Sequence, residues 1–173
     1  MIPVWLALLV LVAEVVAFVY LALVIRSRED MDGDGTCPVY FYRWTLARAF
    51  GCSAYLHHWV GDDWSLDMHD HPKRFVSIGL KGGYIEETPS DKVFAALHGW
   101  SFVEEHNFRA PWIRTFPAEH QHRVRIVPGT DCWTLVLTGR ASRPWGWWHG
   151  GTWVHWQTYV GSALLREKVK ACS

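Results

Sequence analysis

Two pairs of histidines, each pair two residues apart, are the residues of this chain best placed to do chemistry. His69 and His71 lie in Met68-His69-Asp70-His71-Pro72, and His120 and His122 lie in Pro117-Ala118-Glu119-His120-Gln121-His122-Arg123-Val124. In an extended strand, residues i and i+2 project from the same side. Both imidazoles of a pair can then reach one point in space, which is what a metal ion asks of its ligands. The chain carries 10 histidines in 173 residues, so one such pair also reads as surface or hydrogen-bonded histidines. The second pair shifts the balance toward a metal.

Strands must position these groups. Arg74–Leu80 is an apolar run, Lys81-Gly82-Gly83 reads as a turn, and Tyr84–Glu87 as a returning strand. Ser53–Val60 alternates as a strand should, with Gly61-Asp62-Asp63 as a turn after it. Val39–Phe50 reads as a strand followed by a short helical turn. Further extended runs fall at Val93–Leu97, Ser101–Phe108, Trp112–Phe116, His122–Ile126 and Cys132–Leu137, separated by Gly, Pro or Asp. Many short strands with regular breaks indicate an all-β sandwich or barrel. Ser162–Lys170 is the one helix expected in this part of the chain. Cys132, Thr134, Val136 and Thr138 form a small strand face that either lines a barrel's interior or faces solvent.

From Ser53 to Thr138 the pattern resembles the cupin superfamily, and within it the uncharacterised small cupin-like proteins of phages and bacteria. The resemblance is carried by the His69-Asp70-His71-Pro72, Gly82-Gly83-Tyr84 and Pro117-Ala118…His122-Arg123-Val124 blocks. It implies a mainly β fold, a double-stranded β-helix barrel with a metal inside its mouth. His69, His71 and His122 carry over as the metal ligands. His120 and Glu119 are alternate ligands or groups hydrogen-bonded to a ligand. The acidic ligand of the family would fall at Phe75 or Val76 and is absent, which leaves Glu86, Glu87 or Glu119 to supply a carboxylate. Imidazole suits several divalent metals; Fe(II) comes first, with Zn(II), Mn(II) or Ni(II) behind it.

Ile2–Ile25 is almost wholly apolar and long enough to cross about 30 Å of hydrocarbon. Glu14 is its one charge, a cost of about 2.5–3.5 kcal/mol that the surrounding Leu, Val and Phe outweigh. No basic residue precedes Arg26, unlike a signal peptide. Arg26 and Arg28 follow the run and place the rest of the chain on the cytoplasmic side. The expected domains are a transmembrane helix at 1–26, a linker at 27–38, the cupin-like barrel at 39–160 and a helix or tail at 161–173. Asp30, Asp32, Asp34 and Gly35 imitate the start of a calcium loop, but Phe41 stands where its bidentate Glu should be, so a solvated linker is expected.

Lys+Arg and Asp+Glu balance at 17 each, which argues against a nucleic-acid partner. Cys37, Cys52, Cys132 and Cys172 are too scattered for a disulfide framework and read as reduced thiols. Arg109, Arg114, Arg123 and Arg125 either anchor an anionic substrate or solubilise strand faces. Pro144–Trp156, with five of the 12 tryptophans, is either a lid or a plug. His57 and His58 read as structural groups or partners of ligands. The function expected is a single-pass, membrane-tethered cupin metalloenzyme, first an Fe(II)-dependent oxygenase, acting on a small molecule, with a homodimer as one state. The rivals are a non-catalytic ligand-binding cupin and a membrane-anchored interaction protein.

Overall fold

The computed structural model describes residues 3–32, 38–90 and 103–162. Between Pro3 and Ser27 nothing breaks the apolar run, and it forms one helix, α1 (Val4–Arg26). It is long and apolar enough to cross a membrane. The chain then turns into strands: β1 (Glu29–Met31), β2 (Phe41–Ala49), β3 (Cys52–Trp59), β4 (Met68–His69), β5 (Lys73–Pro89), β6 (Val103–Arg109), β7 (Trp112–Phe116), β8 (Arg123–Arg125), β9 (Cys132–Ala141), β10 (Gly146–His149) and β11 (Thr152–His155). A short helix, α2 (Trp156–Gly161), ends the described chain.

The fold is mainly β, an antiparallel sheet curled about a cavity. Its strands run β1-β2-β3-β9-β5-β6, with β7 and β8 also on β5, and a smaller sheet runs β11-β10-β4. β5 is the spine. Its first half lies between β9 and β7, and its second half between β6 and β8. Of the two readings of β9, the interior one holds: Cys132, Thr134 and Val136 are buried while Leu137 is exposed. Two apolar clusters pack the interior, Trp64–Trp147–Tyr159 and Tyr84–Val124–Ile126–Cys132.

Three expectations are corrected. Gly82 and Gly83 do not reverse the chain. They are where β5 leaves β9 and joins β6, Gly82 facing Cys132 and Gly83 facing Arg109. A Cβ would meet Asp131 O at 1.8 Å from Gly82 and Phe108 O at 2.2 Å from Gly83, so the glycines admit close backbone approach rather than a turn. The helical turn expected before Phe50 is strand, with a bulge between Thr45 and Ala47. Glu29–Met31, read as tether, pairs with β2, and Asp30 bonds Arg28 rather than joining a calcium loop. Within Pro144–Trp156, read as lid or plug, β10 and β11 form a hairpin on β4, turned by Gly150 and Gly151. The run at Val93–Leu97, the helix expected at Ser162–Lys170 apart from Ser162, Asp34, Gly35, Cys37 and Cys172 lie outside the described residues; Cys52 and Cys132 are free thiols.

Gly82 and Gly129 both have positive φ, but only Gly82 has neighbours where a Cβ would go. Gly129→Ala is expected to cost about 1–2 kcal/mol from its backbone conformation. Gly82→Ala should cost about 1–3 kcal/mol more through the clash. Denaturant midpoints of the two variants measure the difference.

Candidate metal centre

The strands bring histidines from two distant segments together through the main chain itself. His69 N donates to His122 O and His122 N donates to His69 O, both at 3.0 Å. In such a reciprocal antiparallel pair the two side chains leave on the same side of the sheet, with Cα atoms about 5.5 Å apart. His71, two residues on, is held in the same row by its N–H to Ala118 O, at 2.9 Å. His69, His71 and His122 each offer one ring nitrogen to a cluster in which all lie within 4.8 Å of one another.

His71 Nε2 and His122 Nε2 face each other at 2.8 Å. Two ligands at right angles on bonds of about 2.1 Å would stand about 3 Å apart, so this spacing suits a shared ion. The donor set fits as well. Burial, and the neighbouring imidazoles after it, hold His69 and His71 well below the usual histidine range, so both are neutral and present lone pairs. Phe75, where an acidic ligand was sought, instead packs its ring against His71 at 4.7 Å and stacks on Phe116.

The carboxylate comes from β5. Glu86 is fully buried, and its Oε1 accepts from His122 Nδ1 at 2.7 Å and His120 Nε2 at 2.9 Å. Burial pushes its carboxyl up, but the bonds from His120 and His122 outweigh that and hold it below the carboxylate range. His122 turns Nδ1 to Glu86 and Nε2 to His71, so Nε2 is the ring nitrogen it can offer to an ion. Glu86, His120 and His122 form a second ligand-type group sharing His122. Of the three carboxylates considered from sequence, Glu119 is exposed and Glu87 bonds Arg123 and Arg125.

Two aspartates were missed by sequence reasoning. Asp63, read as a turn residue, is buried, accepts Val124 N at 2.7 Å and lies 3.8 Å from His69 Nδ1. Burial raises its carboxyl to about 6. Asp70, between His69 and His71, points to the other face. There it accepts Gly146 N at 2.8 Å and Trp153 Nε1 at 3.0 Å and pairs with Arg143 at 2.7 Å, which ties the β10–β11 hairpin to the site. Nothing local in the sequence marks Asp63; for Asp70, strand alternation alone puts it opposite His69 and His71.

The histidines open on a cavity of about 530 Å³. Its lining carries aromatic rings, including Tyr40, Trp59, Trp145 and Trp147, hydroxyls from Ser77, Thr134 and Thr138, and the charged groups Arg43, Lys73 and Asp63. Arg114, Arg123 and Arg125 do not line it: Arg114 lies over Phe108 and beside Glu86, and the other two bond Glu87. His58 stacks on Trp133 and bonds Asp131. His57 lines the cavity with its Nε2 buried and unpartnered.

No family model matches the chain, and no curated protein matches it. Among solved structures it is similar to hydroxypropylphosphonic acid epoxidase from S. wedmorenis, at 11% identity and TM-score 0.48, over 66% of this chain and 56% of that one. It is also similar to a cupin-like protein from Thermotoga maritima, at 10% identity and TM-score 0.44, over 77% and 86%. An oxalate oxidase in complex with glycolate matches at 14% identity and TM-score 0.40, over 55% and 45%. The chain thus spans little more than half the length of the epoxidase.

Burial, with Arg43 adding to it, lowers His57 from 6.5 to about 3. Between these values the unfolded chain binds a proton that the folded chain refuses. Stability therefore falls as pH drops through that window, by up to about 1.4 kcal/mol per pH unit. His57→Phe is expected to remove about one proton from that slope, read from denaturant midpoints between pH 6 and 4.

Proposed function

We propose that this chain is a membrane-tethered metalloprotein of the cupin superfamily in which His69, His71 and His122 hold one divalent transition metal. The observation that carries the reading is the convergence of three ring nitrogens, two of them 2.8 Å apart, on the wall of a large aromatic cavity. The curled antiparallel sheet, with the histidines on its inner surface, supports the cupin assignment that the sequence motifs suggested.

We assign it an enzymatic role on a small molecule, with Fe(II) as the first metal to test. Three neutral imidazoles leave a divalent ion its full charge and open positions, so Fe(II) would supply oxygen chemistry there and Zn(II) a Lewis acid. The chain's own residues do the rest. Glu86 keeps the proton of His122 on Nδ1. Phe75 and Phe116 exclude water from behind His71. The aromatic walls bind and orient the substrate, while Ser77, Thr134 and Thr138 offer it hydrogen bonds. α1 serves as the tether, and Arg26 and Arg28 place the β domain on the cytoplasmic face.

Full-length protein is expected to retain close to one equivalent of transition metal, with His69→Ala and His71→Ala each losing it. Glu86→Gln should keep the site but weaken it by about 10–100-fold. Elemental analysis and metal titration read both; no metal after reconstitution would contradict the assignment. The chain should also stay with membranes through a carbonate wash, and recovery in the supernatant would contradict the tether.

A further inference from the structure

The β2–β3 hairpin is built toward the same side as α1. Ser27, at the end of α1, receives the N–H of Thr45 on its hydroxyl at 2.9 Å. Seven residues back along the helix, about 10 Å, Tyr20 donates its hydroxyl to Leu46 O at 2.7 Å. Leu46 is the residue the bulge leaves out of the β2–β3 register, so its carbonyl is free for that bond. Thr45 and Leu46 thus meet the last two turns of the helix. Beyond Leu46 the strand has three residues before its tip, Ala47, Arg48 and Ala49.

The tip itself is not what folding alone would select. Ala49 pairs with Cys52, and Phe50 and Gly51 have φ of 52° and 81°. Two-residue hairpins with positive φ at both positions favour Asn-Gly. Here the first position is phenylalanine, in a conformation that a bulky side chain resists, and its ring is 87% exposed. Ala47, Ala49 and Cys52 around it are exposed as well. Basic groups ring this apolar point. Lys73 donates to Gly51 O at 3.2 Å and Arg140 to Phe50 O at 2.7 Å, so both brace the turn through carbonyls. Arg48 is exposed, bonds Thr45 Oγ1 at 3.3 Å and reaches Glu29 only at 3.7 Å.

We infer that this hairpin tip is a membrane-docking element. It seats the β domain on an anionic phospholipid leaflet, with Phe50 at the boundary of headgroups and acyl chains and Arg48, Lys73 and Arg140 against lipid phosphates. The inference rests on the reading of α1 as a membrane span. Exposed aromatic and cationic groups, on the side where the helix would enter the bilayer, match an anionic lipid surface in both polarity and charge. Docking also bears on the metal site. Tyr55 and Lys73 line both the recess beside the tip and the histidine cavity, so the seated domain turns that end of the cavity toward lipid.

The test uses the full chain in vesicles of phosphatidylcholine with and without phosphatidylglycerol. Spin labels are placed at Phe50→Cys or Thr130→Cys, with Cys37, Cys52 and Cys172 changed to Ser. Thr130 lies beyond the opposite end of the β3–β9 ladder and serves as the water-exposed reference. In anionic vesicles, position 50 is expected to collide with oxygen more than with a water-soluble nickel chelate, and position 130 the reverse. Arg48→Glu should shift the seated population by at least about fivefold, and the milder Arg48→Gln by less. Nickel access at position 50 in both vesicle types, with the chain still membrane-bound, would overturn docking and leave the tether standing. A label immobilised equally in both vesicle types yet open to nickel would indicate a second copy of the chain and also overturn it. Release of the whole chain from the vesicles would overturn the tether and docking together.

Discussion

The site depends on one reciprocal pair of main-chain hydrogen bonds, between His69 and His122. Side chains can repack, but a paired backbone fixes which face each residue presents and at what height. Once that pair forms, the imidazoles of residues 69 and 122 must be neighbours. His71 joins them because Ala118 O receives its N–H. Around the pair the rest of the sheet is arranged: β5 carries Glu86 beneath His122, and β4 carries the hairpin that closes one end of the cavity.

A second constraint is charge. A buried carboxylate is costly unless its oxygens are bonded. Glu86 meets that condition with two imidazole donors on one oxygen and Arg114 at 3.4 Å from the other. Asp70 meets it with a backbone N–H, an indole N–H and a guanidinium. Glu87 meets it with Arg123 and Arg125. These anchored acids account for most of the arginines that the sequence left open as substrate anchors. The cavity keeps Arg43, Lys73 and Asp63 in its lining beside the aromatic rings.

How much of this could be read in advance follows the range of each interaction. The His-x-His spacing and the period-2 alternation of β3 and β9 are local, and both were legible. So were most of the breaks between strands. Gly82-Gly83 was misread because two glycines permit a reversal and a close approach equally well, and only the partner strand decides. Glu86 was one of three candidate carboxylates; the choice among them is made by its register opposite Val124, which no local pattern encodes. Asp63 was invisible for the same reason, since its role depends on a chain 61 residues away. The tryptophan segment, read as lid or plug, divides its rings between core and cavity. Trp147 is buried against Trp64 and Tyr159, while Trp145 and Trp156 stack on each other where they border the cavity.

The most direct measurement is X-ray absorption at the metal edge of the purified, metal-loaded chain, with imidazole ligands counted from their outer-shell scattering. The account predicts three imidazoles and no sulfur, falling to two in His122→Ala if metal is retained. Coordination by oxygen alone, by a cysteine sulfur, or with an imidazole count unchanged by that substitution would contradict it.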